Sequence, residues 1–321
     1  MKCLHPWHDE KRQVWFNCGK CVNCRANKGS QWKLRCIYEL DAWDSAIFVT
    51  LTYNDDWLLT HNISPQGFPT LKKRDAQLFV KRLKADISYN EPSRPLPKIF
   101  MCGEYSPKPK ERPHYHAIIF GMDRFSERDR QYIIDNWCPP NAQRCDVWQF
   151  DRTRGKKDGI QEVSMADIGY VTDYASKKLF GDYAQKEYAE RGREPPFHIN
   201  SQGLGLAFAL AHADRLRANN YSYINGQKIG LPKYLRDKLE SEIVIRESSP
   251  ELLKRKFQEE NTYLQNLFEK ETGFTFPKSE SGLDWYLRQF QNWYDNHRFE
   301  YANIIFDNFN KRYKLLHNKE L

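Results

Sequence analysis

Apolar and polar positions along the chain alternate in some stretches and recur at helical spacing in others. Ala46-Ile47-Phe48-Val49-Thr50-Leu51-Thr52-Tyr53 is dense in β-branched and aromatic residues and stops at Asn54-Asp55-Asp56, which predicts a strand. Lys98 to Tyr105, entered from the breaker Pro92–Pro97, predicts a second strand, and the apolar run from His114 to Gly121 a third. The short Pro/Lys loop from Ser106 to Pro113 between the last two predicts an antiparallel hairpin. Helical spacing appears over Ser30–Asp44, where Trp32, Cys36 and Leu40 recur every four residues, and over the basic segment Leu71–Ser88. Ser126 is a candidate N-cap for a helix running to Trp137, ended by Pro139-Pro140. A short strand is expected over Arg144–Phe150, a charged loop over Asp151–Gly159 and a helix over Ser164–Phe180. Residues 181–200 read as charged and proline-broken, and Asn200–Gly205 as a loop. A helix over Leu206–Ala218, a Tyr221–Ile224 strand with an Asn225-Gly226 turn, and a helix opened by Leu231-Pro232-Lys233-Tyr234 follow. Past Ser248 the pattern becomes long charged helices, with Leu253, Phe257, Leu264, Leu267 and Phe268, then Trp285 through Leu316.

Composition narrows the class. With 321 residues, 40% hydrophobic and 14% aromatic, the chain has ample length for a buried core and is not of the disordered type. Fifty Lys and Arg against 42 Asp and Glu leave a net charge of +8, which suits a phosphate-backbone partner without requiring one. No stretch approaches 18 consecutive apolar residues, so no membrane span is expected. Met1-Lys2-Cys3-Leu4-His5-Pro6 lacks the apolar core of a signal peptide. Eight cysteines then point to a reducing compartment, where metal ligation is favoured over disulfides.

Three constellations carry candidate chemistry. In an extended strand His114 and His116 share a face, about 7 Å apart along the strand, as a sheet would present two imidazoles to one metal ion. The bland alternative is an edge strand with two solvated or core histidines. The hairpin brings Glu104 across from His114 or His116, supplying the third ligand of a divalent site. Cys18-x2-Cys21-x2-Cys24, with Cys3 fifteen residues earlier, offers four thiolates for tetrahedral zinc, with His5 and His8 as substitute ligands. Overlapping C-x2-C turns also occur in iron–sulfur ligation, but the usual fourth cysteine and proline do not follow. On the Ser164–Phe180 helix, Tyr170, Tyr174 and Lys178 share a face, with Lys177 beside it. Two core-packed tyrosines would give the same pattern. Two histidines and one carboxylate favour Mn2+ or Mg2+ as a Lewis acid with open positions for phosphate oxygens. A phenol has a pKa of ~10, so tyrosine attack near neutrality needs the metal and an ammonium such as Lys177 or Lys178.

These motifs resemble those of HUH endonucleases: His114-Tyr115-His116 is similar to the His-hydrophobic-His motif, Phe48–Tyr53 to the first motif, and Tyr170-x3-Tyr174-x2-Lys177-Lys178 to the two-tyrosine motif. The cysteine cluster followed by Trp32 and Arg35, and Gly103-Glu104-Tyr105 before Arg112-Pro113-His114, are similar to the replication initiators of gokushovirus-type microviruses. The resemblance covers about residues 1–235. It implies an α+β fold with a central antiparallel HUH/RRM-like sheet of βαββαβ type and flanking helices. Three regions follow: a Cys-rich zinc-binding segment with its helix (1–44), an endonuclease domain (45–235) and a helical C-terminal extension (236–321). It implies a metal held by Glu104, His114 and His116, nucleophiles at Tyr170 and Tyr174, and Lys177 or Lys178 at the scissile phosphate or leaving 3′ oxygen. The expected activity is nicking and re-ligation of single-stranded DNA at a phage origin, in the host bacterial cytoplasm, with host helicase and polymerase as partners. The rival readings are a non-catalytic zinc-containing nucleic-acid-binding protein with an RRM-like sheet, and a transposase or relaxase of the same chemistry.

Overall fold

A strand needs a partner for its backbone amides, and each strand segment of this chain finds one close by or across the central sheet. The computed structural model describes residues 3–107, 111–137, 145–147, 158–174 and 184–245, together with parts of 265–293. The described residues divide into two compact units, one up to Phe208 and the other from Ala209.

The first unit opens with a hairpin absent from the sequence expectations: β1 (Trp7–Asp9) pairs antiparallel with β2 (Val14–Phe16), Trp7 opposite Phe16. Three residues per strand leave too short an alternation to register in a sequence pattern. Helix α1 runs from Val22 to Leu40, so the helix expected over Ser30–Asp44 starts and stops earlier. Cys21 caps it, its side chain accepting from the Cys24 amide, so the last turn of the cysteine cluster is the first turn of the helix.

The sheet is built on β3 (Ala46–Tyr53), whose bounds match those expected. Asn54 stops the strand and also starts α2 (Asp55–His61), its side chain accepting from the Trp57 amide at 2.7 Å. Helix α3 (Lys73–Asn90) leads to β4 (Lys98–Tyr105) and β5 (Pro113–Phe120), the expected hairpin, followed by α4 (Glu127–Trp137) behind the Ser126 cap. Short strands β6 (Cys145–Val147) and β7 (Ile160–Glu162) pair with the two halves of β3, and α5 (Met165–Tyr174) follows. The π-helical turn Gln185–Ala189 precedes β8 (Phe197–Asn200), a strand inside the stretch expected to be broken. It pairs with β4, Phe197 opposite Gly103. A Cβ on Gly103 would lie 3.0 Å from the Phe197 ring, so the glycine admits that ring. The sheet order is β6-β3-β5-β4-β8, with β7 also on β3, and each pairing is antiparallel. Leaving out the edge strand β8, the order of elements is strand, helices, strand, strand, helix, strand.

Alternation sorts the sheet into two faces. Ile47, Val49, Leu51, Ile99, Met101, Tyr115, Ala117 and Ile119 point into one core with Phe79 and Leu83 of α3 and Ile133 and Trp137 of α4. Burying each such side chain contributes about 1.5–3 kcal/mol. Tyr53 donates to Asp75 at 3.0 Å and lies 2.6 Å from the Tyr115 hydroxyl, which accepts from the Lys72 amide at 2.9 Å. This tethers the start of α3 to the strand that carries both histidines. The opposite face, with Thr50, Glu104, His114 and His116, is covered by α1 and α5. Trp32 of α1 sits 5.1 Å from Phe100, and Tyr170 of α5 bonds to Glu104. Buried Glu39 joins α1 to Lys98 at 2.9 Å and to the Gly205 amide at 2.7 Å. Gly205 has φ +72°, and a Cβ there would come 2.7 Å from the Arg35 carbonyl.

The helix expected over Leu206–Ala218 is two, α6 (Leu206–Ala211) and α7 (Ala213–Asn219), because the backbone leaves helical geometry at His212 (φ −118°, ψ 30°). In the second unit β9 (Tyr221–Ile224) and β10 (Gln227–Gly230) form the expected hairpin, and α8 (Lys233–Ile245) follows. Asn225 and Gly226 both take positive φ, 49° and 72°, as a two-residue primed turn requires. Phe268, Tyr286 and Trp293 form a small aromatic core there. Leu253, Phe257, Leu264, Leu267 and Leu316 lie outside the described residues.

Candidate active site

The hairpin register places Glu104 directly opposite His114, and β3 pairs Thr50 with His116 and Thr52 with His114 from the other side. All of these residues alternate onto one face. Glu104 Oε1 lies 3.1 Å from His114 Nε2 and 3.0 Å from His116 Nε2, and it accepts the Tyr170 hydroxyl at 2.9 Å. Glu104 is 2% exposed and His116 8% exposed. The Phe48 ring stacks on His116 at 5.3 Å, and Tyr170 meets His116 edge-on at 5.1 Å.

The donor set fits a divalent cation. Metal–ligand bonds of about 2.1 Å at right angles put neighbouring donors about 3 Å apart, close to the separations from Glu104 Oε1 to the two imidazoles. Protonation points the same way. His114 Nδ1 lies 3.0 Å from the Arg112 carbonyl, which only accepts, so Nδ1 carries a hydrogen. A neutral ring then turns the Nε2 lone pair toward a carboxylate oxygen, a contact that a cation between them resolves. His116 Nδ1 is 3.0 Å from Thr50 Oγ1, the kind of outer contact that orients a ligating ring. Burial pushes the His116 imidazole below its ordinary value, against the pull of its bond to Glu104. The neutral form that ligation requires is thereby favoured.

The N-terminal cysteines form a second group. The sulfurs of Cys3, Cys18, Cys21 and Cys24 all lie within 4.8 Å of one another, with Cys3–Cys21 at 4.0 Å and Cys18–Cys24 at 3.9 Å. Four sulfurs about 2.3 Å from a tetrahedral centre are about 3.8 Å apart, so a metal fits here as well. Backbone amides of Leu4 and Cys24 donate to Cys21 Sγ and push its thiol down to about 6. Amides likewise lower Cys18, whereas burial pushes the Cys24 thiol up to about 12. His5 and His8 do not join this group; His8 pairs with Glu10 at 3.3 Å.

Tyr170 therefore reaches the triad as its sequence position predicts. Tyr174 lies one turn on in α5, while Lys177 and Lys178 lie outside the described residues. Sequence reasoning passed over Thr50, although it alternates with Phe48 and Thr52 in a strand already recognised. It also passed over Lys33 of α1. With no side chain on Gly169, Lys33 Nζ comes within 3.4 Å of the position a Cβ would occupy, one residue before Tyr170.

Residues 46–179, which contain every one of these sheet and helix positions, match the family model for replication-associated proteins of the ORF2 type. The chain is 29% identical over 231 residues to "Replication-associated protein VP4" of Bdellovibrio phage phiMH2K, covering 69% of this chain and 66% of that one. It is 27% identical over 238 residues to "Replication-associated protein ORF2" of Spiroplasma virus 4, covering 70% and 68%. No solved structure matches the chain. The family match and the two relatives together support a microvirus-type replication initiator.

Proposed function

We propose that the protein initiates rolling-circle replication of a phage genome as an HUH-type endonuclease and ligase, nicking one strand at the origin. The observation that carries this reading is the convergence on Glu104 Oε1 of two imidazoles and one phenol, at 3.1, 3.0 and 2.9 Å. A metal-ligand set with a tyrosine hydroxyl at its edge suits phosphoryl transfer to that tyrosine. Glu104, His114 and His116 would hold Mn2+ or Mg2+, which when bound supplies Lewis-acid polarisation of the scissile phosphate.

In the proposed reaction the Tyr170 oxygen attacks phosphorus and loses its proton. The phosphotyrosine bond forms as the bond to the 3′ oxygen breaks, and Lys177 or Lys178 donates a proton to that oxygen. The 5′ end stays on the protein while host helicase and polymerase extend the free 3′ hydroxyl in the host cytoplasm. Tyr174, one helical turn away, makes the second cleavage, and the released 3′ hydroxyl then attacks the first phosphotyrosine and closes the circle. The reverse attack regenerates a phosphodiester from a phosphoester of similar transfer potential, so no nucleotide is consumed. The four cysteines would hold Zn2+ as a structural ion. A non-catalytic RNA-type reader would expose stacking aromatics on its sheet, whereas Phe100 and Phe48 on this face are buried, at 0% and 7% exposure.

The test incubates the protein with a labelled single strand carrying the origin and Mn2+, and looks for a covalent adduct on a denaturing gel. Wild type forms the adduct, EDTA prevents it, and Tyr170→Phe with Tyr174→Phe reduces it by at least about a thousandfold. An adduct that survives the double change removes the tyrosines from the chemistry.

A further inference from the structure

The face of the sheet opposite the triad carries a feature that the nicking chemistry does not use. Lys73, Gln77, Val80 and Lys84 of α3 recur at helical spacing and turn one stripe toward the edge of the sheet. Between this stripe and the β8 edge lies a groove of about 450 Å3, floored by Ile99 and Ile199 and rimmed by Asn200 and Ser201. That volume is in the range of small-ligand sites.

Its charge is one-sided. Two lysines line the groove and no carboxylate does. Among the described residues neither lysine makes an ion pair. Lys84 donates to Ser201 Oγ at 3.2 Å, and Lys73 Nζ stands 6.0 Å above the Phe197 ring. The neighbouring carboxylates are engaged elsewhere: Glu39 pairs with Lys98 at 2.9 Å, and Glu194 accepts the Lys73 backbone amide at 2.8 Å. Burial, reinforced by nearby Lys98, pushes the Lys84 ammonium down from its ordinary value. A half-buried ammonium without a counter-charge is costly, and an anion in the groove offsets that cost.

The positive edge also reaches the other face of the sheet. His198 of β8 alternates onto the face that carries the triad. It is pushed down to about 4, first by burial and then by the charges of Lys28 from α1 and Lys73 from α3. Ammonium groups from both layers thus converge on the last strand of the sheet.

We propose that the groove between α3 and β8 takes a backbone phosphate of a single DNA strand, with Lys73 and Lys84 as its cations and the apolar floor under the adjoining sugar and base. The strand in question is the one whose nicking is proposed above, and on that reading the groove grips it away from the reacting phosphate. A positive groove with an apolar floor is how a protein tracks a single strand without reading its sequence.

The experiment measures binding of a labelled oligonucleotide to the full chain by fluorescence anisotropy across a salt series. Lys73→Gln with Lys84→Gln weakens binding about tenfold near 0.1 M salt and flattens the slope of log affinity against log salt by roughly 1–1.5, as expected for two lost phosphate contacts. Lys84→Arg, which keeps the charge, retains both affinity and slope. Unchanged affinity and slope in a double variant with wild-type melting temperature overturn the proposal. So does a loss of affinity that Lys84→Arg shares, since the role would then be packing. A third arm adds inorganic phosphate or thymidine monophosphate. Tight saturation by either without competition against the oligonucleotide would assign the groove to free phosphate compounds instead. The adduct assay at saturating DNA separates this from the nicking reading. The lysine variants still form the adduct there, and a wild-type protein that binds DNA but forms none would sink the nicking reading alone.

Discussion

The two candidate metal groups are built on opposite physical terms. The Glu104, His114 and His116 group draws on two strands locked into an eight-residue ladder, flanked by β3, with a core of large buried side chains beneath. Its donors are aimed by the Thr50 hydroxyl and the Arg112 carbonyl before any ion arrives. The Cys3, Cys18, Cys21 and Cys24 group is joined by loops and a three-residue hairpin that leaves Trp7 and Trp15 53% and 67% exposed. Little apolar burial supports it, so its geometry depends on what the sulfurs hold. The fold organises the first site, whereas in the second the ion organises the chain.

The sharpest way to break this contrast is at the cysteines. Cys21→Ser should release zinc and remove most of the roughly 10 kcal/mol that a structural site contributes. Limited proteolysis should then cut within residues 3–24 while the sheet persists. A segment that stays protected would mean packing, not metal, holds it. A smaller effect on stability is expected at the triad. Glu104→Ala should weaken Mn2+ binding by more than about a hundredfold in calorimetry, and Thr50→Val by about tenfold. Both should leave the melting temperature within a few degrees of wild type. Unfolding on the Glu104 change would place that carboxylate among the supports of the fold.

The smallest effect concerns acid. His198 is held at about 4 in the folded state, below its ordinary value of 6.5. Between those values the unfolded chain binds the proton and the folded chain does not, so stability falls as pH drops from about 6.5 toward 4. The loss should amount to roughly 1–3 kcal/mol. His198→Asn should flatten that part of the profile in denaturant titrations. An unchanged slope would show that the β8 edge does not exclude the charge.

Much of this was legible beforehand because it is local. The alternation in Ala46–Tyr53 and Lys98–Tyr105 predicted strands with their observed bounds, and the short loop before Pro113 predicted the hairpin. β8 was hidden because Phe197–Asn200 is four residues long, follows Pro195-Pro196 and is a strand only by virtue of the free edge of β4. α2 was hidden behind its own cap, since Asn54 ends a strand and begins a helix with one side chain. Lys33 gave no signal, because its place beside Tyr170 depends on how α1 lies across α5.

The sequence by itself determined the donors. Side-chain alternation with a period of two puts His114 and His116 on one face wherever that strand is placed, and C-x2-C spacing brings Cys18, Cys21 and Cys24 together over single turns. Only the tertiary structure decided the rest: Glu104 facing His114 and not a neighbour, Tyr170 delivered to the same oxygen, and lysines of α3 gathered along β8. The reason is that periodicity is carried by the backbone of one segment. Register and helix placement are set by the burial of both sheet faces at once, which no single segment encodes.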